Sequence, residues 1–190
     1  TKHFKKLIKR LKVEGFVPRP KEDIYFKAME GAGKNPGNYS SKLKIQLDPA
    51  LRSDEATKTI LRYLLQVIKK NEAILEKDLD TEVLHDFRVA IRRTRSALDQ
   101  IKSVFPQHTT RQFKMKFAFV GKLSNQLRDL DVYLLKEDTF KAILLPVLRD
   151  DIEPLFDYLR KSRSKVLQKT IHDLKSKRYA QIMQDWEAFL

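Results

Sequence analysis

A histidine and three arginines follow helical spacing near the middle of the chain: His85, Arg88, Arg92 and Arg95. At about 100° and about 1.5 Å per residue, a helix places them in one row about 15 Å long, beside its apolar face. Guanidinium groups donate paired hydrogen bonds to phosphate oxygens. The row therefore indicates a site for an elongated anion. The alternatives are a solvated face and, for His85, a packing role.

Other cations follow the borders of predicted apolar faces. Lys58 and Arg62 border the apolar face of the first helix, and Arg160 borders the apolar face of the fourth. Arg163 falls within the fourth apolar stripe, where a buried charge needs an anion. Either a bound ligand or an internal carboxylate meets this need, and Asp131 is the internal candidate.

We predict that helices position these residues. The 190 residues include only five glycines, which indicates few turns, and apolar residues recur at helical spacing from Asp48 onward in five segments. The predicted ranges are about 53–79, 81–104, 110–135, a long helix after Pro154 ending near 174, and 177–190. We predict an all-α fold, an antiparallel four-helix bundle over residues 48–190. Residues 1–47 hold four of the glycines and 12 basic against 4 acidic residues, and are predicted to be a basic linker or leader.

Composition favours a polyanionic partner and argues against metal sites, cofactor sites and membrane spans. The net charge of +14 indicates a polyanionic partner. The chain has no cysteine and only four scattered histidines, so we predict no metal site and no cofactor. The longest uncharged apolar run, residues 142–148, contains Pro146 and is too short to span a membrane. We expect a cytoplasmic protein with no membrane partner.

Two other functions compete with anion binding along this row. Three phenylalanines alternate with lysines over residues 113–122 and could stack RNA or DNA bases, although their spacing suits a packed helix face equally well. Acidic groups at 129–131 or 150–153 could hold a divalent metal for phosphate hydrolysis. The second group precedes Pro154, where a helix N-terminus ordinarily attracts acids, so we expect no enzymatic activity.

Two runs of residues resemble the signatures of the CHAD family, the conserved histidine α-helical domain. The first is HDFRVAIRRTR at 85–95, and the second is RDLDV at 128–132. The resemblance covers roughly residues 48–190. It implies two similar helical bundles around a basic channel that binds inorganic polyphosphate without catalysis. By position in the motifs, the row at 85–95 would line the channel, with Lys122 and Arg163 as companions, while Arg128 and Asp131 are assigned to a structural ion pair.

The sequence departs from the family pattern in two respects. Asn125 stands where the family usually has glycine. The chain also spans about one bundle, so we expect either a missing second bundle or a homodimer mate to complete the channel. Residues 1–47 resemble the connector that follows a CYTH domain, a triphosphate-processing barrel, which leaves an accessory role in such a triphosphatase as an alternative.

Overall fold

A computed structural model describes residues 45–78 and 80–190. The predicted linker over 1–47 lies outside the described residues except for its last three positions. Within the described ranges the chain is helical and forms no β-strand, which confirms the predicted all-α class.

Seven α-helices follow one another within residues 45–190, apart from the undescribed position 79. Their bounds are α1 Ser53–Leu75, α2 Thr81–Gln100, α3 Gln107–Leu123, α4 Asn125–Leu135, α5 Glu137–Ile143, α6 Glu153–Leu174 and α7 Lys177–Phe189. Two single turns of 3-10 helix, Pro146–Leu148 and Asp150–Ile152, connect α5 to α6.

Side-chain caps begin two of these helices. The carboxylate of Asp80 accepts a hydrogen bond from the backbone amide of Glu82 at the start of α2 (2.9 Å). The hydroxyl of Ser176 accepts one from the amide of Tyr179 at the start of α7 (3.3 Å). The turns that follow α1 and α2 contain Asp78 and Ser103, whose positive φ angles of 46° and 65° are incompatible with a continuing α-helix. Both α1 and α2 therefore end about four residues before the predicted positions.

The third predicted helix is corrected in the same way. A single helix over 110–135 was expected, but the helix starts at Gln107 and is interrupted at Ser124, where φ is −111° and ψ is 7°. Serine and asparagine side chains compete with the backbone for hydrogen bonds, which makes the Ser124–Asn125 pair a weak point in a helix. The interruption produces the separate helices α3 and α4.

The apolar faces of the helices meet in one core. Helix α1 packs on α2, α2 packs on α3, and α4 packs on α6. Apolar positions at helical spacing in α1 and α2 are buried: Leu61, Leu64, Leu65, Ile68, Leu75, Phe87, Ile91 and Leu98. Burial of these faces fixes the rotation of α2 about its axis and so decides which way its charged row faces.

The aromatic residues of α3 belong to this core. Phe113 and Phe117 are buried, and their ring centroids lie 4.7 and 5.1 Å from that of Trp186 in α7. Phe119 is partly buried against the core, and the guanidinium carbon of Arg178 lies 3.8 Å from its ring centroid. The packed helix face is confirmed, and these rings do not form an open platform for bases.

The segment from α4 to the start of α6 contains many exposed apolar side chains. Eight of them, between 43% and 81% exposed, are Tyr133, Leu135, Ile143, Leu145, Val147, Leu148, Leu155 and Tyr158. We call this set the exposed apolar face. Among the described helices, none combines the length and apolar character that crossing a bilayer would require.

A candidate anion-binding groove between α2 and α3

The charged row of α2 faces α3 across a groove of about 450 Å³. All four residues of the row line it, and the opposite wall comes from the C-terminal end of α3 and the first turn of α4: Ala118, Gly121, Lys122, Asn125 and Arg128. The groove therefore brings together the predicted residues His85, Arg88, Arg92, Arg95 and Lys122. Helical periodicity and the buried face of α2 together produce this convergence.

Arg88 is held against the far wall of the groove. Its Nη1 donates hydrogen bonds to the carbonyl oxygen of Gly121 (3.1 Å), the hydroxyl of Ser124 (3.1 Å) and the side-chain oxygen of Asn125 (2.8 Å). The partial burial of Arg88 lowers its pKa, and the neighbouring guanidinium groups of Arg128 and Arg92 lower it further, while Asp129 opposes them. The guanidinium remains a cation at neutral pH.

Three cations of the groove and His85 differ from Arg88 in having no such partners. Arg92, Arg95 and Lys122 are exposed, and His85 is half-buried. None of the four makes a hydrogen bond or salt bridge within the described parts of the chain. No carboxylate of the described residues therefore contacts the positive charges of Arg92, Arg95 and Lys122.

Four predicted binding residues lie outside this groove. Lys58 stands over the ring of Phe189, with Nζ 5.5 Å from its centroid. Arg62 donates to the backbone oxygen of Leu190. Arg160 donates to Glu137 (2.8 Å) and also contacts Glu153 and Asp157. Arg163, the fourth residue, contacts two carboxylates of the chain. All four residues therefore already contact groups of the chain itself.

Arg163 is part of an internal ion-pair cluster. Its Nε donates to the buried carboxylate of Asp131 (2.6 Å), and its two terminal nitrogens donate to the carboxylate of Asp78 (2.8 and 2.7 Å). The bonds to Asp78 and Asp131 raise the Arg163 pKa against the opposing effect of burial. Burial raises the Asp131 pKa, and Arg163 offsets part of that increase. Of the two interpretations of Arg163, the structure shows the internal pair.

The predicted pairing of Arg128 with Asp131 is corrected by the same contacts. The carboxylate of Asp131 pairs with Arg163, and no salt bridge joins it to Arg128 in the described ranges. Arg128 instead lines the groove. Its Nη1 and the second carboxylate oxygen of Asp131 are both buried without a hydrogen-bond partner among the described residues.

Sequence reasoning missed the residues that hold Arg88. Gly121, Ser124 and Asn125 are separated from it by 33 to 37 positions along the chain. A usable signal was present, because two residues of weak helix propensity stood together inside the predicted third helix. Neither that signal nor the departure at Asn125 showed which side chain the interruption would meet.

One of the acidic residues considered for a metal site is paired with cations of the chain itself. Glu153 contacts Lys141 (2.5 Å) and Arg160, and these hydrogen bonds lower its pKa. In the described portion of the chain, no three His, Asp or Glu side chains are grouped so that they could hold a metal ion.

Comparison with family models identifies the family of this chain. No curated protein matches this chain. The family model described as CHAD domain matches residues 59–190, more than two thirds of the chain, and this range includes every residue that lines the groove. The chain therefore belongs to the CHAD domain family.

Proposed function

We propose that this chain binds inorganic polyphosphate in the groove between α2 and α3, and that it does so without catalysing a reaction. The observation that carries the proposal is the convergence of Arg92, Arg95 and Lys122 with the anchored Arg88, the first three without a contacting carboxylate within the described ranges. CHAD membership supports it. His85 completes the lining.

Electrostatics explains why such a groove favours a polyanion. Gathering like charges in one groove is unfavourable when it is empty, and an anion that neutralises several of them removes this repulsion. Polyphosphate presents repeated charge along a flexible chain, which suits a row of side chains about 15 Å long. Displacement of its condensed counterions makes the affinity depend steeply on salt.

Single-stranded nucleic acid is the main competitor for the groove. Recognition of its bases relies on exposed aromatic faces beside a basic track. Phe113 and Phe117 are buried against Trp186, and no aromatic side chain is among the residues that line the groove. The groove therefore offers charge without a stacking surface, which favours polyphosphate.

A pair of double variants tests the groove. Arg88→Ala with Arg92→Ala removes two groove cations, whereas Lys136→Ala with Lys161→Ala removes two exposed cations that do not line it. We expect the first to weaken polyphosphate binding at least tenfold and to reduce the slope of log affinity against log salt by about 1.5. Isothermal titration at several salt concentrations measures both quantities. Equal losses in the two variants would mean diffuse attraction by the net charge and would contradict the proposal.

We further propose that two copies of the chain associate through the exposed apolar face. Residues 133–161, which contain this face, carry five basic and six acidic residues, against a net charge of +14 for the whole chain. Copies of a strongly basic chain repel one another where their basic surfaces meet, so a charge-balanced apolar surface is the favourable place for contact.

A further inference from the structure

The interruption between α3 and α4 lies at the wall of the groove. Helix α3 ends at Leu123 and α4 begins at Asn125, with Ser124 outside both. Three oxygens around this point, from Gly121, Ser124 and Asn125, accept hydrogen bonds from one atom, Nη1 of Arg88. The Gly121 acceptor is a backbone carbonyl, which a continuous helix would engage in its own ladder, whereas Ser124 and Asn125 accept through their side chains. The interruption and its two polar side chains together provide an acceptor site for this guanidinium.

These hydrogen bonds distinguish Arg88 from Arg92 and Arg95, the other arginines of the row. An arginine without partners loses side-chain conformational entropy when a ligand immobilises it. Arg92 and Arg95 are exposed and have no hydrogen bond or salt bridge in the described ranges, so a ligand must order them. Arg88 has lost much of this freedom before binding, and it is therefore the pre-organised cation of the row.

The anchored guanidinium still has donors to offer. A guanidinium carries five N–H groups, and the three acceptors all engage Nη1. Nε and Nη2 make no hydrogen bond to the described residues. Two nitrogens on one edge of a fixed plane match the paired geometry that phosphate oxygens accept.

Asn125 is the acceptor that a substitution can remove most cleanly. Its contact with Nη1 is the shortest of the three, at 2.8 Å. Asn125 is exposed, whereas Ser124 is fully buried and Gly121 contributes only its backbone. Truncation of Asn125 therefore opens no cavity in the core.

We infer that Asn125 is a positioning residue, which holds the Arg88 guanidinium so that its free edge anchors one phosphoryl group of the ligand. The inference rests on the proposed function for the identity of the ligand. It assigns unequal roles within the row: Arg88 anchors the ligand at the helix interruption, and the exposed arginines follow the rest of its length.

The first test observes Arg88 in the free protein. Nitrogen-15 NMR of the arginine guanidinium groups reports rotation about the bonds of Cζ. We expect slow rotation for Arg88 in the native chain, fast rotation in Asn125→Ala, and slow rotation in Asn125→Asp, which keeps the acceptor oxygen. Gln126→Ala is the matched control, because Gln126 is exposed and does not line the groove; its Arg88 signals should equal those of the native chain. Equal rotation in native chain and Asn125→Ala would overturn the positioning role.

The second test measures affinity for pyrophosphate and for long polyphosphate by isothermal titration. Asn125→Ala should weaken both about three- to tenfold, as expected for one hydrogen bond, with an unchanged salt slope because no charge is removed. Asn125→Asp should weaken them at least tenfold, since its carboxylate neutralises Arg88. Affinities equal to that of Gln126→Ala would overturn the anchoring role. If the native chain binds no polyphosphate, the proposed function fails, while the rotation measurement still decides whether Asn125 holds Arg88.

Discussion

Cationic side chains in this chain fall into two classes according to their contacts. Arg160 and Arg163 each meet two or more carboxylates. Arg92 and Arg95 meet none within 4.0 Å in the described ranges. Because an arginine already paired with carboxylates must exchange those partners for a ligand, its capacity to bind an added anion is low. Arg92 and Arg95 both line the groove, so an anion that binds there need not displace a carboxylate from them.

Replacement of Arg163 tests this division. Its side chain is 18% exposed and that of Asp131 is fully buried, so Arg163→Met leaves a buried carboxylate without its cation. We expect the free energy of unfolding to fall by about 3 kcal/mol at pH 7. Polyphosphate affinity, measured below the unfolding transition, should stay within about twofold of that of the native chain. Denaturant unfolding and isothermal titration measure the two quantities.

The same variant should respond to pH in a defined direction. Burial already raises the Asp131 pKa, and loss of Arg163 removes the group that opposes this increase. A carboxyl with a raised pKa in the folded state binds its proton more tightly there than in the unfolded chain, so acid stabilises the fold. The deficit of Arg163→Met should therefore shrink as the pH falls from 7 towards about 4. Asp131→Asn in the same chain should abolish this pH dependence, and a deficit that is constant with pH would count against the buried pair.

Residue spacing was sufficient to predict that His85, Arg88, Arg92 and Arg95 form a row beside the apolar face of their helix. All four recur with the periodicity of one α-helix, and the apolar face beside them is pronounced. Residue spacing was not sufficient to predict which cations are paired. The partner Asp78 lies 85 positions before Arg163, and only the packing of α6 beside the turn that precedes α2 brings them together. Spacing within one helix contains no information about such a contact.

At the scale of elements, α7 completes the core on the side of α3. Trp186 is fully buried between Phe113, Phe117 and Phe189, with ring centroids 4.7 to 5.5 Å apart. The other ring of this group, Phe105, packs edge-on against Phe189 at 5.1 Å. Since α3 also forms one wall of the groove, α7 supports the site from behind.

Truncation of this tryptophan tests that support. Trp186→Ala leaves a large cavity, and we expect the free energy of unfolding to fall by about 3 to 5 kcal/mol. Gln184→Ala, an exposed position in the same helix, should change it by less than about 0.5 kcal/mol. Denaturant titration followed by circular dichroism provides the comparison. A loss below about 1 kcal/mol for Trp186→Ala would show that α7 is not an essential part of this core.

The helices themselves were largely predictable, and their interruptions were not. Apolar periodicity located α1, α2 and α6 to within a few residues. It passed through Ser124 without a break, because the apolar positions of α3 and α4 keep nearly the same phase on either side. Oxygens at the interruption accept hydrogen bonds from Arg88 of another helix, and the apolar pattern contains no information about this contact.

At the scale of the whole molecule, charge and apolar surface are distributed unevenly. The groove concentrates unpaired cations, whereas the exposed apolar face lies in a segment with nearly balanced charge. A surface of this kind is typical of contact with another protein. The expected consequence is association between copies, with the groove left open to anions.

Two substitutions on the exposed apolar face test this association. Ile143→Glu with Val147→Glu places like charges on the most exposed apolar positions, and we expect it to convert a concentration-dependent oligomer into a monomer. Met115→Glu is the control, since Met115 is exposed but belongs to α3. Sedimentation velocity at several concentrations measures the result. A native chain that is monomeric throughout would contradict the association.

The most direct test of the central claim is a competition between two polyanions for the groove. Labelled polyphosphate is bound to the native chain, and unlabelled polyphosphate or single-stranded RNA is added at equal phosphate concentration while fluorescence anisotropy is recorded. We expect unlabelled polyphosphate to displace the label at least tenfold more effectively than RNA, because the groove presents dense charge and no exposed aromatic ring. Equal displacement by RNA would contradict a groove selective for polyphosphate.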